Sequence, residues 1–201
     1  MLLTSCAPSG PHNTGVYLLL DTSGTYREEL KGAQRLIHYM LSKLGPTDSF
    51  AVARIDTGSF SEQDIMAKVT LDDRPSAANV QKREFAQDVE KSLAGVKGSP
   101  YTDITGGLLQ AVEFLNEKQP KRKTIFIFSD LKEDLEAGYV RDIEVPVNGF
   151  EVVALNVTKL RSDNVDPREY LNRLEAWRQK IEAQGGTWRV INDLDRLETL
   201  L

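Results

Sequence analysis

Five consecutive apolar residues, Val16-Tyr17-Leu18-Leu19-Leu20, run directly into Asp21-Thr22-Ser23-Gly24-Thr25. An unbroken apolar run with β-branched and aromatic members and an abrupt polar end reads as a strand buried on both faces. Strands of that kind lie in mostly parallel sheets covered by helices above and below. In open α/β sheets, ligands bind beyond the carboxyl ends of the strands, where helix N-termini also point. The carboxylate and hydroxyls that follow this strand therefore stand where such a fold places its ligand.

The rest of the chain fits the same architecture. Residues 27–44 carry Leu30, Ala33, Ile37, Leu41 and Leu44 at helical spacing and stop at Gly45-Pro46. Strands are predicted over 49–55 and 65–71, joined by a linker too short for a crossover helix, so these two pair antiparallel at a sheet edge. A helix over 77–94 turns Phe85, Val89 and Leu93 to one side. The loop 95–103 leads into a helix with Ile104, Leu108, Ala111 and Leu115 inward, capped by Thr102 or Asp103. Gly106-Gly107 costs about 1 kcal/mol per glycine in a helix relative to alanine, which points to close backbone packing there.

A second strand, 124–130, is apolar over 125–128 and again ends in a carboxylate, Asp130. An irregular acidic stretch, 131–149, and a buried strand, 150–156, follow it. Asp166-Pro167-Arg168-Glu169 opens the last long helix with an N-cap, a first-turn proline and a glutamate three residues on. Tyr170, Leu174, Trp177 and Ile181 form that helix's inner face, a strand over 187–191 comes next, and 194–201 reads as a short closing helix. His38 reads as a partly exposed helix residue, Asp72-Asp73 as a strand-end turn, and Lys121-Arg122-Lys123 as a solvated turn. The predicted class is a Rossmann-like open α/β sheet, mostly parallel, with helices on both faces and one antiparallel edge strand.

Charge and cysteine content narrow the function. The 30 acidic and 25 basic residues are spread along the chain, with no basic stripe for a phosphate backbone, so nucleic acid is not the expected partner. No apolar run approaches the roughly 18 residues that span a bilayer, so no transmembrane segment is expected. The single cysteine excludes an internal disulfide and a structural zinc site. It does stand in Leu3-Thr4-Ser5-Cys6, which resembles a bacterial lipobox. On that reading residues 1–14 are a flexible tether, Cys6 carries a lipid anchor at the cell envelope, and the true start lies upstream, because Met1-Leu2-Leu3 is too short for a signal. Otherwise Cys6 sits by chance in a disordered tail of a cytoplasmic protein. Residues 15–201 form the domain in either case.

Three loops converge at the carboxyl edge of the predicted sheet. They supply Asp21, Ser23 and Thr25 after the first strand, Thr102 before a helix, and Asp130 after the later strand. Two carboxylates and three hydroxyls, without histidine or thiolate, suit Mg²⁺ or Mn²⁺. Such a sparse set leaves coordination positions for water or for a carboxylate from a partner.

These motifs resemble the von Willebrand factor A domain family and its metal-ion-dependent adhesion site. The family's Asp-x-Ser-x-Ser stands here as Asp21-Thr22-Ser23-Gly24-Thr25, with threonine keeping the last hydroxyl. Its threonine leading into a helix is matched by Thr102, followed by Gly107-Leu108 and Ala111, and its strand-end aspartate by Asp130. The resemblance covers residues 15–201. It implies that Ser23, Thr25 and Thr102 bind the metal directly or through water, that Asp21 and Asp130 hold coordinated waters, and that a protein partner's Asp or Glu completes the shell. The expected function is divalent-cation-dependent protein binding, not catalysis, with Tyr26, Tyr101, Leu131 and Tyr139 on the contact rim. Two alternatives are a metal-free interaction scaffold and a haloacid-dehalogenase-like phosphatase with Asp21 as nucleophile. The second has Ser23 where its acid should stand and leaves Thr102 without a role.

Overall fold

Strand β1 (Thr14–Asp21) lies inside a six-stranded sheet of order β3-β2-β1-β4-β5-β6. The other strands are β2 (Ser49–Ile55), β3 (Ile65–Thr70), β4 (Arg122–Phe128), β5 (Phe150–Leu155) and β6 (Thr187–Ile191). The helices are α1 (Leu30–Lys43), α2 (Pro75–Ala94), α3 (Ile104–Lys118) and α4 (Pro167–Glu182). This computed structural model describes residues 13–23, 30–56, 58, 60–96, 98–138, 140–141, 143–194 and 200. All pairings between neighbouring strands are parallel except β2 with β3, which is antiparallel as its short linker requires. The architecture is the Rossmann-like one that the pattern of strands predicts.

The apolar run of β1 is unbroken because both its faces are covered. Tyr17 and Leu19 pack with Ile104, Leu108, Ala111 and Leu115 of α3, in a layer completed by Trp177 and Ile181 of α4. Val16, Leu18 and Leu20 point the other way, into the layer of Ala33, Ile37 and Leu41 of α1 and Phe85 and Val89 of α2. The period of two along a strand divides consecutive residues between the two layers.

The chain leaves β1 to build β2 and β3 on one side, then returns to place β4 on the other side of β1. The direction of strand addition thus reverses between β1 and β4, the position where open α/β sheets leave a crevice at the carboxyl edge. The register pairs Leu20 with Phe128. Asp21 and the Ser129-Asp130 pair consequently emerge side by side. Helix α3 presses close over this point, since a Cβ on Gly107 would lie 2.9 Å from Leu19 Cδ2. That is the close approach expected at Gly106-Gly107, and it falls on Gly107; a Cβ on Gly106 would instead meet the carboxylate of the helix cap, Asp103.

Several boundaries differ from expectation, each for a local reason. The domain includes Asn13 and Thr14: the Thr14 N–H donates to Asp48 at 2.6 Å, and the Asn13 carbonyl accepts from Lys121 at 3.1 Å. Helix α2 starts at Pro75, which suits a first turn because that position needs no N–H. Arg122 and Lys123 belong to β4, not to a turn, and Arg122 pairs with Glu151 on the adjacent strand at 3.0 Å. Asp166 caps α4 by accepting the Arg168 N–H at 3.0 Å, and it also pairs with that residue's guanidinium. The stretch 131–149 is irregular as predicted, yet it buries Leu131, Val145 and Val147. His38 is exposed and rests on the Gln34 carbonyl at 2.8 Å. The proposed tether with Cys6, the first residues of the 27–44 helix and most of the closing helix lie outside the described residues.

Leu19→Ala would open an apolar cavity between β1 and α3. It should lower stability by about 2–5 kcal/mol with an unchanged denaturant slope, read from urea unfolding.

Candidate metal centre

Asp21 ends β1 and is 1 % exposed. Its Oδ1 accepts the Ser23 N–H at 2.9 Å, a local turn that folds the polar segment back over the strand end. Its Oδ2 accepts from Ser129 Oγ at 2.6 Å, across 108 residues of sequence. The Ser129 hydroxyl also accepts the Leu131 N–H at 3.0 Å. One buried hydroxyl therefore ties the loop after β1 to the loop after β4.

Asp130 is 5 % exposed, and its Oδ1 accepts the Lys132 N–H at 2.8 Å. Among the described residues nothing hydrogen-bonds its second oxygen. Burial first, and then the neighbouring Asp21 carboxylate, push the Asp130 carboxyl above the usual range, against the Lys132 N–H and the Arg173 and Lys132 charges that pull it down. Leu131 follows with φ of 64°, a left-handed conformation that disfavours a side chain by roughly 1–2 kcal/mol. Three contacts hold it there: its N–H on Ser129, its carbonyl accepting Trp177 Nε1 at 3.0 Å, and its buried side chain.

Thr102 comes to the same place from the start of α3. Its backbone forms an antiparallel bridge with Asp134, with N–H to carbonyl distances of 2.7 and 3.0 Å. Its hydroxyl makes no hydrogen bond to another described group. Asp103, next in sequence, caps α3 by accepting the Gly106 N–H at 2.8 Å and is held by Arg141 at 2.7 Å. Glu133 accepts the Thr105 N–H at 2.7 Å, which adds a carboxylate to the positive end of the helix. Ser23 bridges to Ser99 in the loop before α3, where the Ser99 N–H donates to the Thr22 carbonyl at 3.2 Å.

Ser23, Thr102 and Asp130 thus share one cleft of about 310 Å³, together with Lys132, Asp134 and Leu160. Asp21 lies with them through its bonds to Ser23 and Ser129. Thr25, Tyr26 and Tyr139 lie outside the described residues. Tyr101 is half-buried beside the cleft, with its carbonyl accepting from Ser99 Oγ at 2.7 Å. Leu131 is not a rim residue: at 1 % exposure its side chain belongs to the core, because the left-handed turn drives it inward.

The donor set fits a hard divalent cation better than any other metal. Among the described residues no three His, Cys, Asp or Glu side chains gather to hold an ion by themselves. A cation here would draw on two carboxylates, on hydroxyls and on water, which is oxygen chemistry of the Mg²⁺ or Mn²⁺ kind. The sequence pattern did not single out Ser129, Arg173 or Glu133, and it treated Trp177 as core alone. Ser129 had one visible signal, a hydroxyl placed between an apolar strand and its terminal carboxylate.

No family model matches the chain, and no curated protein matches it significantly. Solved structures do share the fold. The chain is similar to a von Willebrand factor type A protein from Catenulispora acidiphila, with a TM-score of 0.56 and 16% identity over 92% of this chain and 40% of that one. A pilus adhesin from Lactobacillus rhamnosus GG matches with a TM-score of 0.57 and 13% identity, over 96% of this chain and 29% of the adhesin. An aerotolerance-related membrane protein from Bacteroides fragilis matches with a TM-score of 0.51 and 16% identity, over 94% of this chain and 96% of that one. The chain therefore spans less than half of the first two and nearly all of the third. At these identities the likeness is one of fold, and that fold is von Willebrand factor A-like.

Asp130 holds its proton more readily in the folded protein than in the unfolded chain. The stability this group contributes is present in full below the ordinary aspartate range and is lost as pH rises through its raised value. In chelator, Asp130→Asn should therefore be more stable than wild type at about pH 7, and the difference should shrink towards about pH 4, as read from urea unfolding.

Proposed function

We propose that this domain binds a protein partner through a divalent cation, Mg²⁺ or Mn²⁺, whose coordination is completed by an Asp or Glu of the partner. The observation that carries the reading is the buried pair Asp21 and Asp130 at adjacent strand ends, with one Asp130 oxygen and the Thr102 hydroxyl without a hydrogen bond among the described residues and Thr102 and Asp130 lining one cleft. Two neighbouring buried carboxylates, one of which keeps an oxygen without a donor among the described residues, favour a cation. Ser23, Thr102 and, by the motif, Thr25 would hold it directly or through water, while Asp21 and Asp130 orient coordinated waters. When bound, the cation supplies a fixed positive centre that draws a carboxylate.

Binding suits these residues better than turnover. Both Asp21 oxygens are engaged, one by the Ser23 N–H and one by the Ser129 hydroxyl, which fits a carboxylate that orients its neighbours and not one that attacks phosphorus. Tyr101 is the rim residue that stays in this reading. A protein-binding role also agrees with the pilus adhesin among the fold neighbours. Independently of the cleft, the lipobox-like Leu3-Thr4-Ser5-Cys6 supports a place at the bacterial envelope with Cys6 as lipid anchor. No described helix is long and apolar enough to cross a membrane.

The test is a calorimetric titration of Mg²⁺ and Mn²⁺ into the millimolar range, of the order expected for a weak oxygen site. Saturable binding is expected in wild type and should disappear in Asp21→Ala, with Asp21→Asn as the isosteric check. Wild type that binds neither ion would replace this reading with a metal-free scaffold. With a basic and apolar signal segment placed ahead of Met1, the protein should incorporate labelled palmitate in bacteria and its Cys6→Ser variant should not.

A further inference from the structure

One face of α4 captures two successive carbonyls of the loop after β4. Arg173 Nε donates to the Asp130 carbonyl at 2.9 Å, and Trp177 Nε1 donates to the Leu131 carbonyl at 3.0 Å. The two side chains are four residues apart on the helix and so lie one above the other. Arg173 is itself fixed, because its other nitrogens fork onto Asp163 at 3.1 and 2.8 Å. Asp163 is buried, and the guanidinium holds its carboxyl below the usual range. Trp177 is 6 % exposed, so its ring has no freedom to turn the N–H elsewhere.

Between these donors the backbone adopts the left-handed turn at Leu131, whose N–H reaches Ser129 and through it Asp21. A continuous hydrogen-bonded path therefore runs from Asp163 through Arg173 to Asp130, and from Trp177 through Leu131 and Ser129 to Asp21. Core packing accounts for the Trp177 ring but not for the aim of its N–H. The ion pair with Asp163 uses two guanidinium nitrogens and leaves the third for the Asp130 carbonyl.

We infer that Arg173 and Trp177 are positioning residues for the cation cleft, fixing the Asp130 and Leu131 peptides so that the Asp130 side chain stays in the cleft it lines; this rests on the cation-binding reading above. Neither side chain lines the cleft. They act by holding the peptide that carries the ligand, as outer groups do at other metal sites, where their loss weakens binding about 10–100-fold.

Mg²⁺ alone is the probe, and full-length Trp188→Phe is the background, since it leaves Trp177 as the single tryptophan of the two. Trp177 emission should shift on titration with Mg²⁺ and saturate together with the calorimetric signal. Trp177→Phe keeps a ring and removes the N–H, and Arg173→Lys keeps a charge opposite Asp163. In otherwise native protein, each should weaken Mg²⁺ binding by about tenfold or more while retaining the near-ultraviolet circular dichroism of a folded core. If both variants lower the urea midpoint but bind Mg²⁺ with wild-type affinity, the two residues are structural only and the inference is overturned. If wild type binds neither Mg²⁺ nor Mn²⁺, the cation reading fails and this inference with it.

Discussion

The hydrogen bond from Ser129 to Asp21 joins two strand ends that the sequence separates by 108 residues, and the arrangement at the carboxyl edge depends on it. A carboxylate at this depth needs donors, because an ionised group taken from water without partners is strongly disfavoured. Asp21 finds two, the Ser23 N–H and the Ser129 hydroxyl. The same hydroxyl accepts from Leu131 and so fixes the turn that follows Asp130. Satisfying the first carboxylate thereby determines where the second one stands. The result is a negative pair under a shared cleft, with Asp130 pushed up by its burial and by its neighbour.

That geometry follows from the order of strands. Because β4 joins the sheet on the opposite side of β1 from β2, the two apolar strands that end in carboxylates become neighbours in register. Helix α3 then lies over the junction, close enough that Gly107 has no room for a side chain beside Leu19. This brings Thr102 to the cleft, and the bridge to Asp134 holds it there. The acidic stretch 131–149 is therefore a strap and not a free loop. Glu133 caps α3, Arg141 pairs with the buried Asp103, and Val145 and Val147 enter the core.

Much of this was legible before the fold was known. All six strands and four long helices follow from runs and periodicities. The antiparallel edge pair follows from a short linker, and the close packing of α3 from Gly107. Ser23, Thr102 and Asp130 could be gathered from three strand and helix ends, and the structure sets them around one cleft. Leu131 was misplaced because a leucine beside a site reads as a rim residue unless its backbone turn is known. Trp177 reads as core alone, because an inward aromatic on an amphipathic helix is fully explained by burial and nothing local shows where its N–H points, and Arg173 carries no pattern of its own.

The sequence by itself determined the class of fold and the chemical character of the site. Apolar runs that must be covered on both faces, and oxygen donors placed where those runs stop, depend only on residue type and spacing. Tertiary structure alone decided which of the described donors are already occupied, that Ser23, Thr102 and Asp130 line one cleft, and that α4 grips the loop carrying Asp130. Those outcomes depend on hydrogen bonds between residues far apart in the chain, and their partners exist only once the sheet has brought the strand ends together.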